Sequence, residues 1–225
     1  MTVAQGSFQQ PLILWSWIGD NRAEILHRVI EHVELTAIAV FLGLLISFPL
    51  AIYAYRHRRA YGPIAVITGI LYTIPSLALF AFLVAYTGLT VTTAEIGLVS
   101  YTLLILIRNI VAGLDAVPAE ARESATGMGY SRRQLLWRIE IPLALPVIIA
   151  GIRIATVTTI GLVTVTAIIG KGGLGHFILE GLLQAFPTAA ILGAVLSIVL
   201  AVVVDALLLF SERALTPWAR ARSRA

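Results

Sequence analysis

Gly170–Gly175 reads GKGGLG, a lysine set among glycines. A glycine-rich loop with a lysine can cradle phosphate, but the phosphate-binding pattern G-x-x-x-x-G-K-[ST] needs a hydroxyl straight after the lysine. Gly172 stands there instead, after an apolar run, so no nucleotide chemistry is expected. The histidines, His27, His32, His57 and His176, are scattered without a second ligand at metal spacing. No metal site, catalytic residue or bound cofactor is expected, and the chain does not read as an enzyme. The remaining polar groups lie within greasy stretches: Tyr72, Thr73, Pro75 and Ser76, then Arg108 and Asn109, then Arg153, and Asp205. An arginine near mid-membrane costs about 2.5–3.5 kcal/mol on insertion scales, so it faces protein or a water-filled cavity. With Lys171, these residues are the candidates for lining or gating a passage. The alternatives are a structural ion pair, with Asp205 a possible partner for either arginine, a snorkelling side chain, and a proline kink that serves only packing.

The elements that hold them follow from composition. The 225 residues are 59% hydrophobic and only 12% charged, about half the charge of a soluble domain. Lipid is the solvent that suits such a chain. A span needs roughly 20 apolar residues. Five are expected, at about Val33–Tyr55, Pro63–Thr87, Ile96–Val117, Leu143–Ile169 and Thr188–Phe210, with a kink at Pro75. The fold class is therefore all-α and polytopic. Residues 1–32 form an N-terminal segment without the look of a cleaved signal peptide. Trp15–Glu34 reads either as an interfacial amphipathic helix or as a lead into the first span. Residues 33–210 form the membrane domain and 211–225 a basic tail. Arginines crowd the loops after the first, third and fifth spans (Arg56–Arg59 with His57 between; Arg122, Arg132, Arg133, Arg138; Arg213, Arg220, Arg222, Arg224). By the positive-inside rule these loops and the C-terminus are cytoplasmic and the N-terminus is outside. Gly151 and Ala155 have the small-xxx-small spacing of close helix packing. Lys171–His176 with Phe177–Ala185 suits an outer re-entrant hairpin.

One polar block, residues 118–142, interrupts the pattern. Pro118 suits a first helical turn and Glu120 and Glu123 suit a helix N-terminus. Gly127 and Gly129 break that helix, and Ser131–Gln134 has the form of a capping box for a second one. Pro142 is expected to end the second helix and Pro146 to open the next span. From charge alone, such a pair could lie on anionic headgroups at about 1 kcal/mol per basic residue. The spacing says more. Glu123-Ser124-Ala125, three residues, Gly129, nine residues, Ile139, one residue, Ile141-Pro142 resembles the Glu-Ala-Ala-x3-Gly-x9-Ile-x-Leu-Pro motif of ABC importer permeases. Ser124 and Ile141 depart from it conservatively.

LYTIPSLAL (71–79), RNIVAGL (108–114), LPVIIAGIR (145–153) and IIGKGGLG (168–175) are further similar to the permeases of osmoprotectant importers, which take up glycine betaine, choline, carnitine and proline betaine. The likeness runs from the first span to the fifth. It implies a type I importer permease fold in which the block is a coupling helix pair docking on a separate ATPase subunit. Glu123, Ser124, Ala125, Gly129, Arg132, Arg133, Leu136, Ile139 and Pro142 would form that contact. ATP and Mg2+ would sit on the partner subunit. A second permease subunit, identical or related, and an extracytoplasmic substrate-binding protein would complete the importer in the inner membrane; nucleic acid is not an expected partner. Lys171 stands where that family has a small residue, a charge that a zwitterion such as betaine tolerates better than choline does. The rival readings are an importer for methionine or another small solute and, in another class, an ion-driven secondary transporter. The latter usually shows internal repeats and midplane carboxylates, whereas this chain shows no repeat and has Asp205 as the only acidic residue well inside an expected span.

Overall fold

The computed structural model describes residues 12–217; the first eleven residues and the arginines of the extreme C-terminus, Arg220, Arg222 and Arg224, lie outside it. Its first helix, α1, is the short turn Trp15–Asp20. A second, α2, runs unbroken from Arg22 to Arg56. The amphipathic stretch and the first expected span are thus largely one 35-residue rod, the lead-in of the two readings. Glu24, Arg28 and Glu31 pair along its first turns at 2.8 and 3.0 Å, supporting a helix where the chain is still polar.

The second expected span is broken rather than kinked. Helices α3 (Arg58–Thr73) and α4 (Ser76–Thr87) meet at 92°. Proline disfavours helical geometry in the residue before it. Ile74 accordingly takes φ −63° and ψ 127°, and Pro75 itself takes ψ 131°. Two consecutive extended residues stop a helix outright, whereas a kink would need both to stay helical.

Helix α5 (Val91–Asp115) starts on the Thr90 side chain, which accepts from Thr93 N–H at 3.2 Å. Next come α6 (Ala119–Gly127) and α7 (Arg132–Leu135). A π-turn, Leu136–Glu140, leads directly into α8 (Ile141–Val165) and a closing 3-10 turn, Thr166–Ile169. The expectation that Pro142 ends the second block helix is therefore wrong. Arg132–Ile169 is one 38-residue helix. Ile141 N–H bonds to the Leu136 carbonyl, five residues back, so the helix widens just where Pro142 has no N–H to donate and an ordinary turn would crowd its ring. Pro146 lies inside α8. Two helices remain, α9 (Gly175–Leu183) and α10 (Pro187–Leu215). Where a re-entrant hairpin was expected there is the single short helix α9.

Four helices are long and apolar enough to cross a membrane, or five with the bent pair counted as one span. Both of its ends support that count. Arg58, at the start of α3, pairs with Asp115 at the end of α5, while Thr87, at the end of α4, bonds Thr93 at the start of α5 at 2.7 Å. The pair therefore travels from one end of the bundle to the other. Buried apolar side chains of α2, α5 and α8, among them Leu106, Ile107, Ile110 and Leu114, form the main core. No strand occurs among the described residues.

Candidate functional site: the hairpin end and the glycine loop

At one end of the bundle sits the α6–α7 hairpin. Gly129 has φ +81°, the left-handed conformation that ends a helix at little cost only for glycine. Its N–H bonds to the Thr126 carbonyl at 2.9 Å, and Tyr130 N–H reaches the Ala125 carbonyl at 3.1 Å. These two bonds make a Schellman motif, which satisfies the last carbonyls of α6. Two residues on, Ser131 and Gln134 form the reciprocal capping box that starts α7. Stop and start signals thus lie within six residues, which turns the chain sharply.

Of the residues in the motif, Ala125 and Leu136 point inward and are buried. Leu136 belongs to the main core and anchors the hairpin to it. Ile139 and Pro142 are half-buried and line a crevice between α6 and the π-turn with Ala121 and Met128. Glu123, Ser124, Gly129, Arg132 and Arg133 are exposed, as is Met128. The hairpin thus offers a small-residue and basic outer surface over an apolar base.

Three polar side chains that sequence reasoning did not single out lie behind it. Glu140, 6% exposed, accepts from the Tyr55 hydroxyl at 2.7 Å and from Arg122 Nε at 3.1 Å. Arg122 also donates from Nη2 to the Leu114 carbonyl at 2.6 Å. That carbonyl is in the last turn of α5, where the helix dipole favours a cation.

At the opposite end, the GKGGLG loop is a packing device. A Cβ on Gly172 would lie 2.4 Å from Ala167 N, one on Gly175 2.2 Å from the Thr164 carbonyl oxygen, and one on Gly173 2.5 Å from His32 Cβ. His32 is fully buried against this loop. Leu174 N–H points at its Nδ1 at 3.3 Å; a backbone N–H can only donate, so Nδ1 accepts and Nε2 carries the proton, which goes to the Ile160 carbonyl at 3.0 Å. The histidine fastens α2, α8 and the loop together. Nothing in the sequence marked it apart from the other three. Lys171 is half-buried beside this latch, in a crevice of about 410 Å³ that it shares with His27, Arg28, Glu31 and Glu34.

Among the intramembrane charges, Arg153 forms a bidentate pair with Asp205, both contacts at 2.9 Å, and reaches Glu212 at 3.2 Å. Asp205 is thus matched to Arg153, not Arg108. Arg108 is exposed and has no carboxylate partner among the described residues. Asn109 donates to the Ile105 carbonyl at 2.8 Å, and α8 comes so close that a Cβ on Gly151 would fall 2.3 Å from Asn109 Cβ. Gly151 and Ala155 serve packing, as their spacing suggests. Tyr72 stacks edge-on against Tyr101 at 5.9 Å, whose hydroxyl donates to the Ile74 carbonyl freed by the break. Thr73 is exposed and bonds back to Ile70, Pro75 is exposed, and Ser76 opens α4. A second buried acid was also overlooked. Because α5 begins at Val91, Glu95 lies inside the helix, and both its carboxyl oxygens are buried without a partner. No cluster of metal-ligating side chains occurs among the described residues.

A multi-pass helical bundle with a polar two-helix block inserted between its third and fourth crossings is the architecture of an importer permease. The match to known proteins agrees. Residues 35–217 fit the family model described as binding-protein-dependent transport system inner membrane component, and the chain belongs to that family. It is 39% identical over 197 residues to the choline transport system permease protein OpuBB of Bacillus subtilis (strain 168), covering 88% of this chain and 91% of that one. It is 37% identical to the osmoprotectant import permease protein OsmW of Salmonella typhimurium (strain LT2), covering 88% and 94%. It is 35% identical to the glycine betaine/carnitine/choline transport system permease protein OpuCB of Bacillus subtilis (strain 168), covering 91% and 94%. Among solved structures, an inward-facing MetNI methionine ABC transporter chain superposes with a TM-score of 0.77 at 20% identity, covering 88% of this chain and 98% of that one, which shows the shared fold. The protein is an inner-membrane transport subunit of the ABC importer class.

Proposed function

We propose that this permease passes betaine-like quaternary ammonium solutes, delivered by an extracytoplasmic binding protein, and is driven through its α6–α7 hairpin by a separate ATPase subunit that carries ATP and Mg2+. Two permease subunits, identical or related, enclose the passage; the hairpin end is cytoplasmic and the glycine loop faces outward. The observation that carries the coupling part is the hairpin itself. A Schellman stop and a capping-box start leave Glu123, Ser124, Gly129, Arg132 and Arg133 exposed, with Ala125 buried and Leu136 rooted in the main core. Small residues let a partner approach closely, and the root transmits its push to α8. The solutes for which the relatives are named, choline, glycine betaine and carnitine, support the solute class.

The test is co-expression with the neighbouring ATPase. Met128→Asp puts a charge on the exposed hairpin tip without disturbing the positive φ at Gly129. The expected result is loss of the ATPase complex while the permease still inserts; an unchanged complex rules out the hairpin as the contact. Uptake of labelled glycine betaine, choline and methionine by the reconstituted importer tests the solute class, and preference for methionine would overturn it.

A further inference from the structure

From the hydrogen bonds of Glu140 we infer that this residue is the positioning residue of the coupling step, tying the hairpin to three membrane helices so that a push on it moves all three at once. The inference rests on the coupling role proposed above. Residues 116–118 join α6 to α5, with Val117 buried in the main core. Arg122 ties the body of α6 down as well, bonding back to the Leu114 carbonyl at 2.6 Å and to Glu140 at 3.1 Å. Glu140 is the last residue of the π-turn, so it belongs to the same continuous helix as α8. Through the Tyr55 hydroxyl at 2.7 Å it also reaches the last turn of α2. One buried carboxylate oxygen therefore joins α2, α6 and α8, and Arg122 adds α5.

Other contacts at this end are weaker ties. Arg58 and Asp115 pair in the open, at 63% and 38% side-chain exposure, and Arg56 donates to the Arg132 carbonyl on the exposed rim. Exposed pairs of this kind contribute little, and less in salt. Glu140 is shielded, so its bonds are stronger and its loss leaves Arg122 without its carboxylate. The π-turn serves the same end. It adds a residue to the helix just before Glu140, which alters the direction in which that side chain leaves the rod. None of these three side chains lies on the exposed hairpin surface, so they act on the partner only through the elements they hold.

The experiment uses the complete importer, permease with ATPase and binding protein, in proteoliposomes. Tyr55→Phe and Glu140→Gln are compared with wild type for complex yield, ATP hydrolysis and solute carried per ATP. Both variants are expected to assemble and hydrolyse ATP, with transport per ATP falling at least about threefold. If transport and hydrolysis fall together, in proportion to the amount of folded complex, Glu140 is merely structural and the inference fails. Tyr55→Phe removes one hydroxyl and keeps the charge pair, so it carries the test should Glu140→Gln not assemble. Met128→Asp separates the two proposals: an intact complex in that variant sinks the docking surface, whereas an unchanged transport-to-ATP ratio in Tyr55→Phe sinks only the clamp.

Discussion

Gly129 and His32 show how single residues set the two ends of this permease. At Gly129 a Cβ would meet nothing within 4 Å, so the cost of replacing it is purely conformational. Gly129→Ala should destabilise the hairpin by about 1–2 kcal/mol, the cost of a left-handed L-residue, and Gly129→Asn by less, because asparagine tolerates that region. Thermal unfolding of the purified permease, with proteolysis at residues 127–131, measures both; equal effects of Ala and Asn would contradict a conformational origin. At the other end, His32→Ala removes two hydrogen bonds and leaves the Leu174 N–H buried without an acceptor. The expected loss is about 2 kcal/mol from the bonds alone. Amide exchange at residues 170–176 should quicken, and unaltered protection there would disprove the latch. Gly129 was legible in the sequence because its place between a helix stop and a capping box has a local signature. His32 was not, since its partners are 128 and 142 residues away and nothing nearby records them.

At the scale of elements, the spans were legible and their junctions were not. Length and apolarity locate a helix, and all five expected spans overlap observed ones. Whether a proline kinks, breaks or is absorbed depends on what its neighbours do. Pro75 broke the helix, aided by Tyr101 capturing the Ile74 carbonyl; Pro142 was absorbed because a π-turn made room. Local sequence alone does not distinguish these outcomes. Glu140, Arg122 and Tyr55 were missed for a related reason: each looks like an ordinary interfacial residue until three helix ends converge. Tyr101→Phe tests the break. With its carbonyl left without that donor, the α3–α4 junction should lose about 1 kcal/mol and widen its angular distribution. Spin-label distances between positions 66 and 82 report this, and a distribution identical to wild type would show that Pro75 holds the corner unaided.

For the whole molecule, the first question is which end faces the cytoplasm. The chain has no cysteine, so single cysteines can be read without background. Cysteine at Met128 should resist a membrane-impermeant maleimide in intact cells and react after permeabilisation, while cysteine at Lys171 should react in both. The reverse pattern would invert the proposed topology and remove the hairpin from reach of a cytoplasmic ATPase.

The unbroken helix Arg132–Ile169 also has a mechanical meaning. With 38 residues at 1.5 Å each, it is a rod about 57 Å long, nearly twice the hydrocarbon thickness it crosses. It starts in the hairpin and ends at the glycine loop. Such a rod acts as a seesaw. Pivoted at mid-membrane, a tilt of about 10° shifts each end by about 5 Å, in opposite directions. In the proposed pair of permease subunits, drawing the two hairpins together would then spread the two glycine loops, with no separate signal crossing the bilayer.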